Sequence, residues 1–190
     1  MSKRCDEAED CRDRTDEKDC QTLFLDESKY RKSFKPEAIE GNLEIFVNIR
    51  IFNIDSVSEI DGEYRVQFGL SLSWTDPRLL YMNLKEDILK NIVGEEIAKK
   101  LWIPPLRFPR LSSRKNRVEY DEEADVFVST LGEGMIAPYT FIDESKIYAG
   151  AENQLGYYRM FQGTHQCQFD LADYPFDYQD CSIQVLLGLF

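Results

Sequence analysis

Histidine is almost missing from this sequence. His165 is the only one among 190 residues, which leaves little scope for histidine-based acid–base, nucleophilic or metal chemistry. Long apolar runs are missing as well. The longest near the C-terminus, Val185 to Phe190, falls well short of the ~18 residues that a membrane-spanning helix requires. No basic segment leading into an apolar stretch follows Met1, so no signal peptide is read here. Basic charge is scarce, with 23 Lys and Arg against 35 Asp and Glu and a formal net charge of −12. A surface that acidic repels phosphate backbones and anionic headgroups, which argues against nucleic acid and lipid surfaces as partners. Zinc sites usually space two ligands two to four residues apart. The closest cysteines, Cys5 and Cys11, have five residues between them.

What is present suits one domain of ordinary size with a small appendage. Hydrophobic residues make up 43% of the chain, enough for a core. Residues 1–20 contain almost no apolar side chains and read as an acidic tail by composition alone. From Leu43 the pattern changes. Ile45, Val47, Ile49 and Ile51 alternate with Glu44, Phe46, Asn48 and Arg50, predicting a strand with one well-buried face. Asp61-Gly62 signals a turn. Tyr64, Val66, Phe68, Leu70, Leu72 and Trp74 then alternate with mostly polar residues, so 43–74 reads as a long hairpin ended by Asp76-Pro77. Residues 84–101 suggest one short helix or two turns. Residues 126–130, 146–149 and 154–170 read as further strands, and a last one is expected to begin near Cys181. Many short strands separated by turn signals predict a mainly β protein of the sandwich type.

The cysteines, five in all, fall into two groups: Cys5, Cys11 and Cys20 near one end, Cys167 and Cys181 near the other. Their number is odd, which in a secreted protein means a free thiol, an intermolecular pair or a missing partner. In the cytosol they would be reduced thiols or metal ligands. His165 and Cys167 share a face of one strand, so a Cys–His nucleophile dyad is conceivable. No other acid–base or nucleophile constellation accompanies the lone histidine. The chain is therefore not expected to be an enzyme.

Cys167 and Cys181 enclose the 13 residues QFDLADYPFDYQD. Within them Tyr174-Pro175-Phe176-Asp177 forms a turn with a fixed φ and two aromatic anchors. This loop, with Gln179 two residues before Cys181, resembles the signature of the Cys-loop (pentameric) ligand-gated ion channels. The likeness extends upstream. Tyr30 to Pro36 resembles the segment before the family's first strand. Trp74-Thr75-Asp76-Pro77-Arg78-Leu79 resembles its W-x-D-x-R-L, and Trp102-Ile103-Pro104 its W-x-P. It covers residues 22–190 and implies a neurotransmitter-binding extracellular domain lacking its last strands and loop C. The fold implied is an immunoglobulin-like β-sandwich with a short N-terminal helix. The resemblance further implies a Cys167–Cys181 disulfide, and closing a loop of that length contributes ~3 kcal/mol in the chain-entropy view.

The family also implies roles for residues. Tyr174, Pro175, Phe176 and Asp177, with Glu59 near the first hairpin turn, would relay binding to a pore domain, the carboxylates pairing with basic groups there. The ligand, a small neurotransmitter-like molecule, would lie between subunits of a homo- or hetero-pentamer. Candidate contacts are Phe108, Tyr157, Tyr158, Arg159 and Phe190, with Arg159 suited to a carboxylate on the ligand. Gly69 stands where the family places an aromatic, five residues before Trp74. Trp74 and Trp102 are expected in the core.

The N-terminal group, CDEAEDCRDRTDEKDC from Cys5 to Cys20, resembles the second half of an LDL-receptor class A repeat, here residues 1–21. Such repeats are organised by calcium, which takes six or more oxygen ligands. The resemblance implies ligands at Asp6, Asp10, Asp16 and Glu17 and at the carbonyl of Ala8. The other carbonyl position, usually Trp in the repeat, is Lys3 here. It also implies a Cys5–Cys20 bond that leaves Cys11 without its family partner. Two functions follow as expectations. One is the extracellular part of a plasma-membrane ligand-gated channel, read here as a piece of a longer protein that begins and ends inside modules. The other is a secreted, pore-less ligand-binding module joined to LDL-receptor-type repeats.

Overall fold

A computed structural model describes residues 9–13, 20–38, 41–109, 111, 124–136 and 146–188. Among them the protein is built almost entirely of strands: β1 (Leu23–Phe24), β2 (Phe46–Ser58), β3 (Glu63–Thr75), β4 (Leu80–Met82), β5 (Leu106–Arg107), β6 (Asp125–Ser129), β7 (Met135–Ile136), β8 (Lys146–Ala149), β9 (Gln154–Gln166) and β10 (Leu186–Leu187). The helical content among the described residues is one 3-10 turn at Ile88–Lys90 and α1, Glu95–Ala98. The mainly β class expected from the alternating pattern is therefore the class observed. Three sheets form, with orders β1-β4-β8-β7, β10-β5 and β2-β3-β9-β6.

The chain divides into two compact units, one of residues 1–46, 73–102 and 125–157, the other of 47–72, 103–124 and 158–190. The first holds the β1-β4-β8-β7 sheet, in which Leu23 opposes Tyr81 and Tyr81 opposes Tyr148. Trp74, Leu79, Tyr81, Leu101 and Trp102 are buried there, and the two indoles meet edge to face at 5.8 Å. Both tryptophans are thus core, as expected. Two buried asparagines fasten the loops of this unit. Asn91 exchanges bonds with both backbone groups of Lys85 and donates to Val128 O, while Asn153 accepts from the N–H groups of Leu131 and Gly132. Each replaces a ladder bond that the loop backbone would otherwise lack.

At the centre of this unit lies Asp76, fully buried. Its Oδ1 accepts from Arg78 Nε at 2.8 Å and its Oδ2 from Arg78 Nη2 at 2.7 Å, a two-pronged pairing that matches guanidinium to carboxylate. Tyr30 donates its hydroxyl to Asp76 Oδ2 at 3.1 Å and accepts from Trp102 N–H at 2.9 Å. Arg78 lies over the Tyr30 ring at 4.4 Å and donates to Phe34 O. Burial first, and the Asp76 charge after it, push the Tyr30 phenol up to about 12, so it stays a donor. Burial pulls the Arg78 guanidinium down, but its bonds to Asp76 outweigh this and raise it.

The second unit contains the long hairpin of β2 and the body of β3, together with the C-terminal part of β9. Tyr64, Val66, Phe68, Leu70 and Leu72 of β3 point inward and are buried. The hairpin turns at Gly62, whose φ of 65° is a left-handed value that glycine adopts without cost. Three expectations are corrected. β2 was expected to have one well-buried face, yet its first twelve residues are exposed on both faces, because it is the outermost strand of its sheet and nothing among the described residues covers it. No helix forms among the described residues before β2. The N-terminal segment runs as turns around Glu27–Lys29 and Lys32–Phe34, and Tyr30 fixes its course by bonding to Asp76 and Trp102. The last strand among the described residues begins at Leu186 rather than near Cys181, because residues 182–185, just past the disulfide, run without ladder partners.

Replacing Asp76 with Ala leaves a guanidinium and a phenol without their acceptor. Because Arg78 keeps 27% of its side-chain exposure, the expected loss is near the low end for a broken buried pair, about 3 kcal/mol in urea unfolding. A variant as stable as the parent would show that the cluster is incidental.

Candidate functional site

Cys167 and Cys181 are joined by a disulfide with Cα atoms 5.4 Å apart. The enclosed loop has no regular secondary structure, so side chains must define its shape. Gln179 does much of this. Its carboxamide oxygen accepts from Asp170 N–H at 2.9 Å, its nitrogen donates to Asp170 O at 2.6 Å, and it also donates to the Asp177 carboxylate. One amide thus imitates a strand partner for Asp170 across the loop. The Tyr174–Pro175 peptide is cis.

The base of this loop is tied to the first hairpin. Cys167 N–H donates to Gly62 O at 2.9 Å. Around that bond Glu59, Ile60, Asp61 and Gly62 line an open groove with Gln166 to Phe169 and Leu171. Glu59 and the base of the cysteine loop, both expected on sequence grounds to face a pore domain, lie at one end of the same unit. Phe176 is 93% exposed, Tyr178 88% and Ile60 100%. The 13 enclosed residues carry Asp170, Asp173, Asp177 and Asp180 and no Lys or Arg. This end therefore presents apolar tips on an acidic ground, an arrangement suited to a partner with basic and apolar groups.

The candidate ligand residues are distributed differently. Along β9 the side chains alternate. Phe161 points inward, stacking on Phe68 at 5.6 Å and meeting Phe108 at 5.2 Å. Tyr158 and Gln162 point outward, Tyr158 toward Gly69 and Gln162 to the Asp55 carboxylate. Tyr157 and Arg159 thus belong to the inward face and Tyr158 to the outward one, and the three are not brought together. Phe108 packs with Phe68 and Phe161 in an aromatic cluster. Phe190 lies outside the described residues. Gly69 explains why its position lacks an aromatic of its own. A Cβ there would sit 2.9 Å from both the Phe52 ring and the Tyr158 hydroxyl, so aromatics from the strands on either side already fill the space. Beside them Arg65 and Asp55 pair at 3.8 Å. A glycine inside a strand is the one sequence signal of such a close approach.

At the N-terminus Asp6, Ala8, Asp16, Glu17 and Cys5 lie outside the described residues. Asp10 and Cys11 are exposed, and Cys20 is disulfide-bonded. Among the described residues no group of three metal-ligating side chains occurs, and no helix is long and apolar enough to cross a membrane.

Residues 17–186 match the family model described as neurotransmitter-gated ion-channel ligand binding domain. The chain belongs to this family. Similar curated proteins are a gamma-aminobutyric acid receptor subunit beta of Lymnaea stagnalis, 26% identical over 164 residues, and subunit beta-4 of Gallus gallus, 24% identical over 156. A beta-like subunit of Drosophila melanogaster is 23% identical over 153 residues. These alignments cover 82%, 82% and 75% of this chain but only 28%, 27% and 26% of the relatives. The chain therefore spans little more than a quarter of the proteins it matches. Within the family the disulfide-closed loop is the eponymous Cys-loop, and the name is used below.

Peptide mapping without reductant should recover Cys167 and Cys181 in one linked species. Replacing Gln179 with Ala should cost about 1 kcal/mol, as its bonds are exposed, and should remove hydrogen-exchange protection at Asp170. Unchanged protection there would mean the loop is shaped by other contacts.

Proposed function

We propose that this chain is the ligand-sensing part of a neurotransmitter-gated channel subunit, responding to a small amino-acid transmitter of the gamma-aminobutyric acid type and passing the signal to ion transport through the Cys-loop. The observation that carries this reading is the seating of the Cys-loop on the Glu59–Gly62 turn, joined by the Cys167–Gly62 bond. A loop closed by a disulfide and anchored at its base moves as a body. Its exposed Phe176 and half-buried Asp177, with Glu59 at the same end of the unit, would press on a pore domain and pair with its basic groups. The names of the relatives support the choice of transmitter, and the outward face bearing Tyr158, Phe52, Arg65 and Asp55 offers aromatic surface and both charges for an amino acid. Assembly as a pentamer and an extracellular position at the plasma membrane follow from the same family reading.

The test is voltage clamp of cells expressing the full-length polypeptide that contains these residues, alone and with a beta-type partner subunit. Gamma-aminobutyric acid should evoke current. Phe176→Ala and Asp177→Ala should each shift the half-maximal concentration upward on the order of tenfold, about 1.4 kcal/mol, with surface expression unchanged. Surface-expressed protein that binds transmitter and never conducts would sink the channel reading and favour a pore-less binding module.

A further inference from the structure

His165, the chain's only histidine, has no part in the reading above. It lies one residue from the end of β9, is fully buried, and has no hydrogen-bond partner for either ring nitrogen among the described residues. Its neighbours are rings. Tyr64 lies 5.7 Å away and Phe68 6.1 Å, and Phe68 stacks in turn on Phe161. On its other edge the backbone bridges to Leu111, and its Nε2 lies 3.4 Å from where a Cβ on Gly163 would stand. A neutral imidazole carries one donor and one acceptor, and an imidazolium carries two donors and a charge. Such a cage tolerates the first poorly and the second far less.

Among the described residues, no titratable or charged group around it offsets a charge. From β3 the inward residues are Tyr64, Val66 and Phe68, of which Tyr64 alone titrates, while Glu63 and Arg65 belong to the opposite face. On β9 the inward charged residue is Arg159, six positions or roughly 20 Å along the strand, and it is itself cationic. Leu111 adds an aliphatic side chain and no charge. No carboxylate faces the ring from the described residues, and burial alone holds the imidazole below its ordinary 6.5.

The position gives this consequence. Two residues after His165, Cys167 N–H holds Gly62 O, and two residues after Gly62 stands Tyr64, in ring contact with His165. The histidine and the tyrosine are the last inward pair beneath the bond that seats the Cys-loop. We propose that His165 is a proton-operated latch at the base of the Cys-loop: neutral, it keeps β9 closed on β3; protonated, it must reach water, and doing so parts residues 62–64 from 165–167 and unseats the loop. The sign follows from linkage. The folded group titrates below the unfolded one, so the closed state is fully favoured above pH ~6.5. It weakens by up to tenfold per unit as pH falls from there toward the folded value.

The test uses the 190-residue chain. With one histidine, its imidazole gives a single set of NMR resonances. Their titration should have a midpoint below 6.5, and amide exchange at residues 62–64 and 165–168, corrected for intrinsic rates, should rise by up to tenfold per unit between pH 6.5 and 5. Residues 80–82 and 147–149 should keep their protection. His165→Phe should remove the pH dependence at 62–64 and 165–168. An imidazole midpoint at or above 6.5 in the folded chain overturns the proposal without any variant. So does an equal pH response at those segments in His165→Phe.

Discussion

A carboxylate taken out of water needs its hydrogen bonds supplied by protein, and Asp76 is the place where this protein meets that demand. The Asp76 cluster joins three stretches of chain that themselves lie outside the strands. Arg78 follows the end of β3, Tyr30 lies in the turns before β2, and the Trp102 amide ends the segment after α1. Each partner is itself held by a second contact, Arg78 by the Phe34 carbonyl and the Tyr30 ring, Tyr30 by Trp102 N–H. The cluster is therefore satisfied as a set. Losing one member leaves the others buried without partners, which is why such networks specify a single arrangement more than they add to stability. With the N-terminal turns and the Trp102 segment fixed, Trp74 and Trp102 meet in the core of this unit, and β4 begins in register with β1 and β8.

In the second unit the functional end is organised by a smaller set of constraints. The left-handed turn at Gly62 presents a carbonyl, the first cysteine of the Cys-loop supplies the N–H, and Gln179 shapes the loop from within. None of these depends on a large apolar core, so this end can open locally at less cost than the packed interior. The aromatic cluster of Phe68, Phe108 and Phe161 lies deeper in the same unit and keeps β9 against β3.

Much of this was legible in the residues. The period-two pattern of 64–74 predicts the inward face of β3 residue by residue, since alternation depends only on local geometry. The turn at Asp61-Gly62 and the cysteine spacing are local signals too, and both appear in the structure. The exposure of β2 was not legible. Its alternation of Ile45, Val47, Ile49 and Ile51 reports what the strand is able to bury, whereas burial itself depends on what lies opposite. The facing of Tyr157, Tyr158 and Arg159 was hidden for a related reason: three neighbours in sequence are divided between two sides of a strand. The roles of Gln179 and Asp76 rest on long-range bonds that no spacing rule encodes. The Gly69 signal was present but ambiguous, because a glycine in a strand announces a close approach without saying which side chain makes it.

The edge position of β2 has a consequence for the chain as a solute. Among the described residues nothing pairs with the outer side of this thirteen-residue strand, and Phe46, Val47, Ile49, Ile51, Phe52, Ile54 and Val57 are all outwardly available. Proteins usually blunt such an edge with proline, lysine or a short length. Here none of the three is present between Phe46 and Ser58, and only Arg50 and Asp55 are charged. Colloidal repulsion from the −12 net charge is then the main defence against stacking into larger ladders, and it weakens as the solution approaches the isoelectric point near 4.6 or as salt screens it. Self-association through this edge should therefore respond to pH and salt more than to changes in the packed interior.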